Sequence, residues 1–187
     1  MRNFTTEDND TMEAMNEDDV YRYLGHMQAK QIKHTRMKQK LGEEYLNRIK
    51  SILKTKLNGK NTTKAINMYA TPVLNFSFGI VKWMPTDLEN LPTKNRMLLT
   101  RYRFHHPHDE KRLTLLQQTG GRDLIDITRL NDKQVKLLQI YFLNKQVTLS
   151  LHAAIVKADD RCTPLDLVCA NANKLAKDEE YNTKVKR

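Results

Sequence analysis

One stretch constrains the whole chain: Ala65 to Trp83, AINMYATPVLNFSFGIVKW, is the only long apolar run in 187 residues. Bases press on it from both sides, Lys54, Lys56, Lys60 and Lys64 before it and Lys94, Arg96, Arg101 and Arg103 after it. Such a segment must be buried all round, and the question is in what. Seventeen residues separate Lys64 from Lys82, fewer than the roughly 20 that span a bilayer. Asn67, Thr71, Pro72, Asn75 and Ser77 add polar groups that hydrocarbon would leave unsatisfied. The stretch therefore reads as a core helix rather than a membrane span. It is expected to bend at Pro72, whose ring removes a backbone donor.

Elsewhere the pattern is amphipathic. From Thr35 to Leu57 the apolar residues fall at Met37, Leu41, Tyr45, Ile49, Ile52, Leu53 and Leu57, one stripe of a helix. Asn58-Gly59 is expected to stop that helix with left-handed backbone, and Asn61 or Thr62 to cap the next. Thr86 and Glu89 form a capping box for a helix carrying Leu88, Leu91, Leu98, Leu99 and Tyr102. Pro92 is expected to kink or delay it, and His105-His106-Pro107-His108 to end it. A short extended segment near Leu113 to Leu116 leads to a turn at Gly120-Gly121. Helices are predicted over Asp126 to Asn144, with Leu130, Leu137, Leu138 and Tyr141 on one side, and over Leu149 to Ala158. Thr163-Pro164 caps and opens a last one. Near the front, Tyr21-Arg22-Tyr23-Leu24-Gly25 alternates as a short strand. The expected fold is mainly α, with a small β element at about 20–32 and a short extended segment and turn near 112–122.

The net charge of +10 is uneven. Residues 1–20 hold seven acids and one base, whereas residues 21–64 hold twelve bases and two acids. Residues 1–19 read as a disordered acidic leader, and 181–187 as a basic tail. A basic segment of this density suits a polyanionic partner, RNA or DNA, or else is a solvated helix face. Two cysteines, Cys162 and Cys169, make no disulfide framework, and the acidic N-terminus has no apolar signal region, so the expected compartment is intracellular, cytoplasm or nucleus.

No catalytic constellation is expected, and no metal site or cofactor. His105, His106 and His108 lack partners at zinc-ligand spacing. Ala158-Asp159-Asp160 has the form of a two-metal aspartate pair, but Arg161 and Thr163-Pro164 make it a helix-end feature. Gly120-Gly121-Arg122 is too short for a phosphate loop. The strongest candidate surface interleaves bases with rings: Arg96, Arg101, Tyr102, Arg103, Phe104, His105, His106, Lys111 and Arg112. Guanidiniums grip phosphates, and rings lie on sugar or base faces.

Several short motifs occur in a specific order. Lys54-Thr55-Lys56-Leu57-Asn58-Gly59-Lys60-Asn61 leads into Ala65-Ile66-Asn67, Tyr69-Ala70, Pro72-Val73-Leu74 and Phe78-Gly79-Ile80. Trp83, Asp87-Leu88-Glu89, Arg96, Leu98-Leu99-Thr100, His105-His106-Pro107, Arg112-Leu113 and Gly120-Gly121-Arg122 follow. The series resembles the region after the polymerase palm in reverse transcriptases of non-LTR (LINE-class) retrotransposons, of the branch with one open reading frame and site-specific insertion. Tyr21 to Gly25 resembles the strand that closes the palm. The likeness runs from about Tyr21 to Leu130, more loosely to Leu167.

This resemblance implies a palm-edge β remnant at 20–34, a helical thumb-like bundle at 35–118 and a helical linker-like region at 119–180. It implies a surface for RNA or DNA formed from Lys54, Lys56, Lys60, Arg96, Arg101, Arg103, His105, His106, Arg112, Gly120, Gly121 and Arg122. It also implies that the catalytic aspartates lie upstream of these residues, so that no enzyme activity and no small-molecule substrate are expected of the chain. Two alternatives stay open: a helical interaction or structural protein with no nucleic-acid role, and a fragment of an active polymerase whose palm is encoded upstream. The chain departs from the family pattern at Pro92, where an acidic or polar residue is typical. It departs again at Gln117-Gln118-Thr119-Gly120-Gly121-Arg122-Asp123-Leu124, where a basic pair precedes the glycines and no acid follows the arginine.

Overall fold

The structure, a computed structural model, describes residues 33–106 and 110–185, with side chains for 33–106 and 111–176. The backbone of two short antiparallel pairings precedes them, Phe4–Thr5 with Thr11–Met12 and Tyr21–Tyr23 with His26–Gln28. The acidic leader and the β element expected at about 20–32 otherwise fall outside the described residues, and that element is not established as part of the fold. The described chain is mainly helical: α1 His34–Lys54, α2 Gly59–Ala65, α3 Pro72–Asn75, α4 Pro85–Arg101, α5 Glu110–Thr114, α6 Ile127–Lys145, α7 Ser150–Ala158 and α8 Leu167–Val185. Helix α8 runs through most of the stretch expected as a basic tail.

Helix α1 follows its stripe. Met37, Leu41, Tyr45 and Ile49 are buried, and Ile52 and Leu53 partly so, while Leu57 lies beyond the helix end and is exposed. The end itself differs from expectation. Lys56, not Asn58-Gly59, takes the left-handed backbone, with φ 54°. Asn58 instead caps α2, its side-chain oxygen accepting the Asn61 N–H at 2.9 Å; Asn61 and Thr62 lie inside the helix. A short amide serves equally as a left-handed residue or as an N-cap, and here the second use prevails.

The apolar run is neither one helix nor buried all round. Between α2 and α3 the chain forms a π-turn, Ile66–Ala70. Pro72 cannot donate to the Met68 carbonyl, and the Thr71 N–H reaches back to Ile66 O at 3.1 Å, closing the wider turn. One side is buried, with Ile66, Ala70, Val73, Leu74, Phe78 and Val81 in the core built on α1, whereas Met68 is 55% and Tyr69 62% exposed. Ser77 is fully buried but satisfied, donating to Leu74 O at 2.7 Å and accepting the Trp83 indole N–H at 3.0 Å.

Helix α4 begins earlier than Thr86 and Pro92 suggest. Pro85 opens it and Asp87 accepts the Met84 N–H at 3.1 Å, so the cap sits about two turns before Pro92, which lies inside the helix. Asp87 also accepts from Lys38 Nζ at 2.6 Å, tying α4 to α1. That hydrogen bond is the main cause holding the Asp87 carboxyl below the usual carboxylate range. Leu88, Leu91, Asn95 and Leu99 form the buried stripe of α4.

The expected extended segment near Leu113 is helical at α5, followed by a 3-10 turn at Gln117–Thr119. The return through 121–124 then lies alongside it. Asp126, expected as the first residue of its helix, instead caps α6, accepting from Thr128 N–H at 2.9 Å and Arg129 N–H at 3.3 Å. Helix α6 joins two cores. Ile127 and Leu130 belong to the first, built on α1, α3 and α4, while Leu143 joins Val156, Leu165 and Leu167 in a smaller second one with α7 and α8. Leu137 and Tyr141, expected on the packed side of α6, are exposed. Thr163-Pro164 does not open α8, which begins at Leu167.

Candidate nucleic-acid interface

Helix α4 ends in a doubly bonded reverse turn. The Arg103 N–H donates to Thr100 O and the Phe104 N–H to Leu99 O, both at 2.9 Å, with Arg103 at φ 55°. This Schellman geometry usually places glycine where Arg103 stands. It turns the chain sharply and leaves Arg103 exposed and Phe104 half-buried beside it. The Arg122 guanidinium carbon lies 4.3 Å from the centre of the Phe104 ring, a cation–π contact. Gly59, the first residue of α2, closes the group. A Cβ there would stand 2.8 Å from Arg122 Nη1 and 3.9 Å from the Phe104 ring, so a side chain at this position would displace the end of the arginine.

The turn that delivers Arg122 is tightly specified. Gly120 has φ 80°, and a Cβ on Gly121 would collide with the Leu115 carbonyl. Arg112 bonds the turn twice, its Nε donating to Gly120 O at 3.1 Å and its carbonyl accepting the Arg122 N–H at 2.9 Å. Asp123 and Leu124 N–H groups donate to Leu115 O and Leu113 O at 2.8 Å each. Asn67, which the sequence presents only as a polar interruption of the apolar run, reaches the same segment. It donates to Asp123 O at 2.8 Å and accepts the Ile125 N–H at 3.1 Å.

Of the twelve residues the sequence singles out, Arg103, Arg112, Gly120, Gly121 and Arg122 are brought together around Phe104, with Lys60 next to Gly59. Lys56 precedes that group in the loop before α2. Lys54, Lys56, Lys60, Arg101 and Arg103 are exposed, and no carboxylate among the described residues forms an ion pair with any of them or with Arg122. Arg96 is half-buried in a cleft between α4, α5 and the start of α6. His105 is buried at 7% exposure, so its ring does not form part of the outer surface, whereas His106 is exposed. Tyr102 lies at the exposed end of α4 rather than in its core stripe.

The aspartate pair is helix-cap chemistry. Asp159 is buried and accepts from Thr163 N–H and Oγ1, at 2.9 Å each, and from Leu167 N–H at 3.0 Å, which fixes the turn into α8. Among the described residues no group of three or more His, Cys, Asp or Glu side chains is placed to hold a metal ion. Within the same residues no helix is long and apolar enough to cross a membrane. In comparisons with known proteins, no family model, no curated protein and no solved structure matches the chain.

Proposed function

We propose that the chain is a thumb-and-linker remnant of a non-LTR retrotransposon reverse transcriptase that binds RNA or DNA and carries no polymerase chemistry of its own. The observation behind this reading is the meeting of three distant segments, Gly59-Lys60, Arg103-Phe104 and Gly120 to Arg122, in one cationic surface. Phosphates are the natural counter-ions for guanidiniums and ammoniums that form no ion pair with a carboxylate among the described residues. The Phe104 ring holds Arg122 flat, which lowers the conformational entropy lost when that cation meets a phosphate.

A second reading, a helical interaction protein, draws on α6, α7 and the turn between them, where Leu137, Ile140, Tyr141, Val147 and Leu151 are exposed, Val147 at 85%. Titration of an RNA–DNA duplex at two salt concentrations separates the two. With Lys60, Arg103 and Arg122 neutralising about three phosphates, affinity is expected to fall roughly 40-fold between 50 and 200 mM salt. Binding of micromolar strength or weaker is expected. Affinity that does not change with salt overturns the nucleic-acid reading.

A further inference from the structure

We infer that Asn67 is the positioning residue of this interface, a carboxamide latch that holds the Arg122 turn against the core so that the guanidinium rests on Phe104. The inference rests on the proposed nucleic-acid reading for its consequence, though not for its geometry. Asn67 belongs to the π-turn Ile66–Ala70, between Ile66, which is fully buried, and the exposed Met68. Its side chain spans 56 residues of sequence to Asp123 and 58 to Ile125, using one donor and one acceptor on backbone groups two residues apart. That pattern imitates a strand partner, and it fixes both the position and the orientation of the segment it grips.

The segment gains from such a grip. Gly120 at φ 80° and Asp123 at φ 59° flank Gly121-Arg122 with left-handed backbone, which aspartate tolerates better than most residues but still at a cost relative to glycine. Leu115 O holds the Asp123 N–H and Asn67 holds the Asp123 carbonyl, so both sides of this residue are fixed. Without the carboxamide, Asp123 keeps its N–H bond to Leu115 O but loses the anchor on its carbonyl and Ile125 loses its acceptor, which loosens the turn that seats Arg122 on the Phe104 ring. The π-turn supports the same role. Its wider backbone changes which way each residue faces relative to a continuous α-helix, and such turns recur at functional sites.

The test is a double-mutant cycle in the full chain, with a short RNA–DNA duplex as probe. Asn67→Ala is expected to weaken binding roughly threefold to tenfold and to reduce the salt slope by about 1, the signature of one lost phosphate contact. In an Arg122→Ala background the same substitution should change affinity less than twofold, because it acts through Arg122. Additive effects overturn the inference. Amide hydrogen exchange on the unliganded protein gives a second measurement that does not depend on nucleic acid. Asn67→Ala is expected to speed exchange at Arg122, Asp123 and Ile125 while leaving Leu41 and Tyr45 in α1 protected. Unchanged exchange in the turn overturns the latch even if no duplex binds. Failure of the wild-type chain to bind, with exchange changed as expected, leaves the latch standing and removes the nucleic-acid reading.

Discussion

The buried pair formed by Tyr45 on α1 and Asn95 on α4 offers a quantitative test of the main core. Tyr45 is 1% and Asn95 4% exposed, and Asn95 Nδ2 donates to the Tyr45 hydroxyl at 3.1 Å. The Asn95 carboxamide oxygen has no partner among the described residues. Burial pushes the Tyr45 phenol up, so the hydroxyl stays protonated. An unmet buried polar group costs about 1–3 kcal/mol, and three variants distribute that cost differently. Tyr45→Phe leaves the Asn95 amide nitrogen unmet as well and should destabilise by about 1–3 kcal/mol. Asn95→Leu continues the Leu88, Leu91 and Leu99 stripe and removes the unmet oxygen but strands the tyrosine hydroxyl, for a net change near zero. The double variant removes every unmet group. It should exceed wild type by about 1–2 kcal/mol, after allowance for fitting a bulkier side chain. Urea unfolding followed by circular dichroism measures this, provided the m-value is unchanged. For a chain of this size about 1 kcal/mol corresponds to roughly 2–4 °C in Tm. A double variant no more stable than wild type would refute the reasoning.

Three further outcomes follow from particular contacts. Arg103→Gly relieves a left-handed cost of about 1–2 kcal/mol against a glycine entropy cost of about 0.5–1 kcal/mol, so thermal unfolding should show a gain of about 0.5–1 kcal/mol; a lower Tm contradicts the α4 end geometry. Gly121→Ala places a methyl on the Leu115 carbonyl, and calorimetry should record a loss of about 1–3 kcal/mol with the salt dependence of duplex binding reduced. The lowered Asp87 pKa, caused first by the Lys38 hydrogen bond, adds stability that is present above the unfolded carboxylate pKa and lost as pH falls through the folded one. Wild type should therefore exceed Asp87→Asn in stability near neutrality and lose that advantage in acid titration; a gap that persists at low pH assigns the stabilisation to something other than ionised Asp87.

The helices themselves are legible in sequence because their signal is periodic. Met37 to Ile49 and Leu88 to Leu99 repeat at three and four, and Asp126 stands directly ahead of α6. The joints are less legible, because several residues qualify for each cap and three-dimensional contacts choose among them. Asn58 rather than Asn61, Asp87 rather than Glu89, and Asp159 acting across to Leu167 rather than Thr163-Pro164 are cases of this kind. The π-turn leaves one signal, Pro72 within an apolar run, which indicates a break but not its form. At the candidate interface the residue types Arg122 and Phe104 are evident from the start. Their stacking depends on Gly59 and Asn67, which lie more than fifty residues from Arg122 and carry no charge to attract notice.

Helix α6 also has a mechanical consequence. Its start is bonded through Asp126 directly after the segment gripped by Asn67, and its far end carries the smaller core. At 19 residues it is a rod about 28 Å long. A tilt of roughly 10° at the Asp126 pivot would sweep the opposite end through about 5 Å, given that length. Packing of α6 against α3 and α4, and the Lys82 Nζ bond to Arg161 O at 2.6 Å, brace the rod against such a tilt and hold α7 and α8 to the main core. Cys162 and Cys169, both exposed free thiols, lie on the far side of that brace, where an attached fluorophore would register its loss in Lys82→Ala.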